Sequence, residues 1–268
     1  IPKRTGWRGE ARGYILNDMR RLVPEALPLM VQRFVALARA DSQPLPDPIP
    51  TPRLVTKASS VEQALNTLSL STHIPVLVIC PGAEFGDAKQ WPAQHYAALS
   101  TQRIKQGWQV WILGSAKDNA VALEIQGLLP EDLRQHCEIL TGRTSLAQAI
   151  DLMSVASAVV SNDSGLMHVA AALAKPIVAL YGSTSADFTP PLADQVQLLS
   201  IDIDCRPCFE RTCPLGHKRC LVDLTPAMAI EALELIAPTD SHAISLVEEG
   251  SPNNGEQSAG ERSTFCES

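Results

Sequence analysis

The chain has 268 residues, 45% hydrophobic and 19% charged, with a formal net charge of −7. That length suits one large domain or a domain and a half, and the composition is that of an ordinary globular protein. The negative balance argues against nucleic acid as a partner, and no apolar run approaches the roughly 20 residues that span a bilayer.

The chain opens Ile1-Pro2-Lys3-Arg4, with no initiator Met and no secretory signal, which reads as an interior position of a longer protein. Through Arg39 there are eight Lys/Arg against three acids, either a solvated face or a surface that meets an anionic partner. Residues 14–39 read as one or two helices broken near Pro24 and Pro28, because Leu27, Met30, Val31, Phe34, Val35 and Ala38 recur at helical spacing. Asp41–Pro52 holds five prolines in twelve residues, which excludes helix and central strand and marks an extended linker. The expected divisions are 1–43, a Pro-rich linker at 44–56, a main domain at 57–240 and a tail at 241–268. The tail is polar and acidic and is expected to be disordered.

Beyond the linker, helix and strand alternate. Helices are predicted at 60–70, 92–106, 117–129, 145–155, 164–174 and 226–236. Strands are predicted at 75–80, 109–113, near 138–140, at 158–161 and at 177–181. Val76–Cys80 and Ile177–Tyr181 are continuously apolar, as in strands covered on both faces. Right-handed crossovers then give an α/β, Rossmann-like parallel sheet.

In such a sheet the loops after successive strands share one edge, so distant motifs converge there. Asn162-Asp-Ser-Gly-Leu-Met-His168 follows a strand and opens a helix of small residues. It offers a carboxylate, a glycine and unpaired N–H groups where phosphates bind. Pro81–Pro92 forms a wide turn in which Lys89 can reach a phosphate. Gly114–Asp118 puts a carboxylate at a strand end for ribose hydroxyls, or else is only a turn and a helix cap. Thr141–Ser145 is a candidate wall for a base. Asp163 or Ser164 could serve merely as caps and Lys89 as a loop lysine; their joint occurrence on one edge favours a site. His168 lies one helical turn from Ser164, beside the cradle. Neither a Gly-x-Gly-x-x-Gly nor a Walker loop occurs, so no dinucleotide cofactor is expected and the phosphates point to a nucleotide-sugar.

Three segments, Pro81–Pro92, Ser161–Leu173 and Val178–Pro190, together with Arg4–Glu10 and Leu16–Asp18, resemble the ADP-heptose:lipopolysaccharide heptosyltransferases of glycosyltransferase family 9. They are most similar to the type that adds the second heptose. The likeness runs to about Ile236. It implies the carboxyl-terminal half of a GT-B fold, two Rossmann-like domains facing a cleft, with residues 1–43 the last piece of the acceptor domain. It implies an ADP-heptose donor, an inner-core lipopolysaccharide acceptor and a cytoplasmic location, peripheral to the inner membrane. By the same resemblance Lys89 contacts donor phosphate, Asp118 the ribose and Thr144 the adenine. Asp163, Ser164, Gly165, Leu166 and His168 line the diphosphate and heptose. The general base is expected upstream of Ile1, so this chain is expected to bind the donor without transferring heptose alone. The competing readings are a non-catalytic nucleotide-binding module and another sugar-nucleotide enzyme, such as a 2-epimerase-like protein.

Seven cysteines include Cys205, Cys208, Cys213 and Cys220 within sixteen residues, with His217 between them. Four thiolates suffice for a tetrahedral metal site. The single Cys-x-x-Cys favours free or redox-labile thiols bracing a loop, so no metal ligand is assigned.

Overall fold

The structure, a computed structural model, describes residues 1–41 and 43–238. The elements run β1 (Thr5–Trp7), β2 (Asp18–Arg20), α1 (Met30–Ala38), α2 (Ala58–Leu68), β3 (Val76–Cys80), α3 (Ala93–Lys105), β4 (Gln109–Ile112) and α4 (Asn119–Gly127). They continue with β5 (Cys137–Ile139), α5 (Leu146–Ser154), β6 (Ala158–Asn162), α6 (Gly165–Ala172), β7 (Ile177–Leu180), β8 (Val196–Leu199), α7 (Arg219–Val222) and α8 (Pro226–Ile236).

β3 to β8 form one parallel sheet in the order β5-β4-β3-β6-β7-β8. Every residue of β3, β6 and β7 is buried, which is why these strands lack polar alternation. Their side chains instead divide by pleat between two cores. Leu77, Ile79, Val160 and Val178 meet residues of α3, α4 and α8 on one face, while Val76, Val78, Val159 and Ile177 meet α2, α5 and α6 on the other.

The strand order reverses direction between β3 and β6. From β3 the chain builds outward through β4 and β5; from β6 it builds the opposite way through β7 and β8. Loops leaving β3 and β6 therefore part to opposite faces and leave a crevice at their carboxyl ends. The register Cys80↔Ser161 sets the two loops side by side at its floor.

The helical reading of 14–39 is corrected. Only Met30–Ala38 is α-helical; Asp18–Arg20 is a strand, paired in parallel with Thr5–Trp7 in a separate two-stranded sheet. The Asp18 carboxylate accepts a hydrogen bond from the Thr5 hydroxyl at 3.0 Å and pairs with Lys3 and Arg20, each at 3.0 Å. Those cations hold its carboxyl well below the usual carboxylate range. Pairing between segments thus overrides a local periodicity that suggested helix. α1 then packs back on the main sheet's loops: Met30 N donates to Phe188 O at 2.9 Å, and the Arg33 guanidinium stands 4.8 Å from the Phe188 ring. Residues 44–56 carry neither helix nor strand, and Leu54 N docks on Ala172 O at 2.8 Å. β8 and α7 have no counterpart in the sequence reading. The expected disorder of 241–268 lies outside the described residues.

Candidate functional site

The crevice outside β3 and β6 is a cavity of about 640 Å³. It draws Lys89 from the loop after β3, Asp118 from the loop after β4, and Asp163, Ser164, Gly165, Leu166 and His168 from the start of α6. Seven of the eight residues singled out in the sequence thus share one wall. Thr144 does not line the cavity; Leu146, two residues on, does. The loop carrying Thr144 is folded back on its neighbour: Gly142 N donates to Gly114 O at 3.1 Å, and Thr141 Oγ1 donates to Asn119 Oδ1 at 3.1 Å.

At the floor Lys89 Nζ lies 2.6 Å from Asp163 Oδ2, with Lys89 13% and Asp163 5% exposed. The Thr184 hydroxyl donates to the same oxygen at 2.7 Å. Two donors therefore fix the buried carboxylate, as a charge removed from water requires. Lys89 Nζ also stands 4.9 Å over the Phe85 ring. An ammonium carries three protons, and bonds to the Asp163 carboxylate at 2.6 Å and carbonyl at 3.5 Å use two, so Lys89 can still turn one toward a ligand anion.

Asn162 is the joint beneath this pair. Its Nδ2 donates to Pro81 O at 2.7 Å, while its Oδ1 accepts from Trp91 N at 3.2 Å and from the Tyr96 hydroxyl at 3.0 Å. One fully buried amide thus ties both ends of the Lys89 loop, and α3, to the end of β6. Burial pushes the Tyr96 hydroxyl well above its ordinary pKa, so it remains a donor.

Asp118 fills the crevice floor on the β4 side. Its Oδ2 accepts from Ser115 N at 2.8 Å and from Ser115 Oγ at 2.9 Å. The capping reading of this turn therefore holds. Oδ1 is left without a partner among the described residues, so capping and ligand contact are compatible. A Cβ on Gly82 would lie 2.5 Å from Asp118 Oδ1, and one on Gly114 would lie 2.8 Å from Oδ2. Both glycines make room for this carboxylate.

α6 begins at Gly165 after an extended Ser164, whose hydroxyl lies 3.3 Å from that of Ser161 and caps no amide. The first-turn N–H groups at this helix end carry the positive end of its dipole beside Lys89. His168, an exposed residue, follows on the same helix. Desolvation of its ring holds its pKa below the ordinary imidazole value; the Asp163 carboxylate opposes this and Lys89 reinforces it. The arrangement is one cation, Lys89, and the free amides of a helix start around a polar floor, fitted to an anion with an attached polar group.

A family model described as glycosyltransferase family 9 (heptosyltransferase) matches residues 1–219. The chain belongs to that family. Lipopolysaccharide heptosyltransferase 2 of Escherichia coli (strain K12) is 44% identical over 241 residues, 88% of this chain and 69% of that protein. Lipooligosaccharide heptosyltransferase 2 of Haemophilus influenzae (strain ATCC 51907 / DSM 11121 / KW20 / Rd) is 43% identical over 246 residues, 88% of this chain and 71% of that protein. The solved structure of E. coli ADP-heptose lps heptosyltransferase II superposes with a TM-score of 0.80 at 44% identity, covering 88% of this chain and 70% of that one. The family resemblance and the α/β, GT-B-like fold read from the sequence are both upheld.

Sequence reasoning assigned no role to Asn162 or Thr184. Asn162 stood inside the quoted Asn162–His168 motif, and an amide side chain at the end of an otherwise small and apolar strand was the available signal. Thr184 follows β7, and only the fold reveals that its hydroxyl reaches Asp163. Among the described residues no helix is long and apolar enough to cross a membrane.

Proposed function

We propose that the crevice is the donor subsite of an inverting heptosyltransferase, holding ADP-heptose for transfer to the inner core of lipopolysaccharide. The observation that carries this reading is the Lys89–Asp163 pair at the amino end of α6, inside a cavity built by the strand-order reversal. Lys89 and the first-turn amides of α6 would face the diphosphate, and Asp118 Oδ1 the ribose. Thr144, off the wall, reaches the adenine only if its loop moves, so Leu146 is the better-placed neighbour of the base.

In the transfer, an acceptor hydroxyl loses its proton to a base and attacks the anomeric carbon of the heptose. The bond from that carbon to the diphosphate oxygen breaks with its electron pair on ADP. Lys89 and the helix amides stabilise the charge that gathers on the leaving diphosphate, and a protonated His168 would add to them. No residue of this chain is assigned as the base. The cation-rich stretch before Arg39 fits a phosphorylated glycolipid acceptor at a membrane surface, a peripheral contact.

Calorimetry of the full chain with ADP and with uridine diphosphate tests the donor assignment. Saturable ADP binding, tighter than the uridine nucleotide, supports it, and preference for uridine diphosphate favours a different sugar-nucleotide enzyme. Assay with ADP-heptose and inner-core acceptor then separates transfer from binding alone.

A further inference from the structure

The segment between β8 and α7 lies against both loops that hold Asp163. Arg206 donates from Nε to Gly182 O at 2.9 Å and from Nη2 to Thr184 O at 3.1 Å, and Phe209 N donates to Ser183 O at 2.8 Å. On the other side, Ala88 N donates to Arg211 O at 3.0 Å, and Lys218 Nζ pairs with Asp87 Oδ2 at 2.6 Å. Gly86, at a φ of 156°, is pressed against the Arg211 carbonyl, where a Cβ would collide with backbone. The backbone of Arg211 is therefore fixed against the turn that carries Lys89.

The Arg211 side chain is not spent on the fold. Among the described residues its guanidinium makes no hydrogen bond or ion pair, and it stands 5.2 Å from the centre of the Phe85 ring. Lys89 Nζ stands 4.9 Å from the same centre, and Phe85 lines the crevice. Two cations thus meet at one ring of the crevice wall. An exposed cation gains little from a ring, and neighbouring like charges repel. The nearby carboxylates do not balance them: Asp163 holds Lys89, Asp87 holds Lys218, and Glu84 holds Lys117 at 2.5 Å. Glu210, next in the chain, forms no ion pair with Arg211 among the described residues. An anion on the crevice side of Phe85 supplies the missing charge.

The sheet order says which part of a nucleoside diphosphate that anion is. Asp118 follows β4, Lys89 follows β3, and the loop bonded by the Arg211 segment follows β7, in the order β4-β3-β6-β7. Arg211 is therefore on the far side of Lys89 from the carboxylate proposed for the ribose. We propose that Arg211 is a further cation of the donor subsite, and that its guanidinium takes the β-phosphate, the one farther from the nucleoside. This rests on the donor reading above. Arg211 does not line the cavity in the free chain. With its backbone fixed, only its side-chain torsions need turn for the guanidinium to pass the edge of Phe85 and donate, and a guanidinium has five N–H groups to offer. The β-phosphate is where charge gathers as the bond to the sugar breaks, so Arg211 would stabilise the leaving group together with Lys89.

Calorimetry of the full chain and of its R211M and R211K variants, with ADP and with AMP, tests the assignment. ADP affinity is expected to fall roughly tenfold in R211M, the loss of a charged hydrogen bond to phosphate, and to recover in part in R211K. AMP lacks the outer phosphate and is expected to bind wild type and R211M alike. Arg211 is exposed, so R211M is expected to keep the denaturation midpoint of the wild type. ADP affinity unchanged in R211M overturns the proposal. An equal loss for ADP and AMP also overturns it, and makes Arg211 only a support for the Phe85 wall. A folded wild-type chain that binds neither nucleotide strikes the donor reading itself, and this assignment falls with it.

Discussion

Lys89 Nζ stands 2.6 Å from Asp163 Oδ2, joining two loops 74 residues apart in the chain. The pair closes the floor of the crevice and leaves the ammonium beside the amino end of α6. Its two halves answer to different tests, because Asp163 is held by Lys89 and Thr184 together.

Lys89→Met leaves a nearly buried carboxylate with only the Thr184 hydroxyl. Breaking such a pair should lower stability by about 3 kcal/mol, seen as an earlier denaturation midpoint. ADP affinity should fall roughly tenfold or more, the loss for a charged hydrogen bond to phosphate. Affinity unchanged in the folded variant would remove Lys89 from the phosphate subsite.

Asn162→Ala strands a backbone amide and a carbonyl in a dry interior and leaves the Tyr96 hydroxyl only the Cys80 carbonyl, at 3.4 Å. Leaving these groups unpaired should destabilise the fold by roughly 3 kcal/mol. Chemical denaturation measures this, and a loss within about 0.5 kcal/mol, the scatter of surface substitutions, would contradict the joint role given to Asn162.

Gly82→Ala places a methyl against the Asp118 carboxylate and should weaken ADP binding more than it lowers the melting temperature. Gly127→Ala, where a Cβ meets nothing within 4 Å, is the control. Equal ADP affinity in both variants would show that Asp118 does not touch the nucleotide.

His168 sets a pH dependence. Its pKa in the free chain lies below the ordinary 6.5, so the ring is neutral at neutral pH. A bound diphosphate favours the imidazolium and raises that pKa, so binding takes up a proton. Affinity should therefore rise as pH falls through the bound-state pKa and level off below the free-state value. Comparing wild type with His168→Gln at each pH removes the titration of ADP itself. Parallel profiles would place His168 outside the phosphate contacts.

Much of the site was legible because continuously buried strands leave an unmistakable apolar run, and the residues just after such runs must lie on one sheet edge. Lys89, Asp118 and Asp163 were found that way. The loop 141–145 was read as a candidate wall for a base and Thr144 given to the adenine by resemblance, but sequence gives no measure of how a loop folds back, which here follows from Gly142 bonding to Gly114. The first 40 residues misled for a different reason. Leu27, Met30 and Phe34 have helical spacing, but the strand Asp18–Arg20 exists through pairing with Thr5–Trp7, and three-residue strands have no periodicity to read. Thr184 was invisible because its role is a contact between segments distant in the chain.

The most direct measurement is the titration of ADP into the full chain and into its Lys89→Met variant, each verified as folded. One saturable ADP site in the wild type, weakened roughly tenfold or more in the variant, is the expected result. No ADP binding to the folded wild-type chain, or equal binding by both, would contradict the assignment of this crevice as the donor subsite.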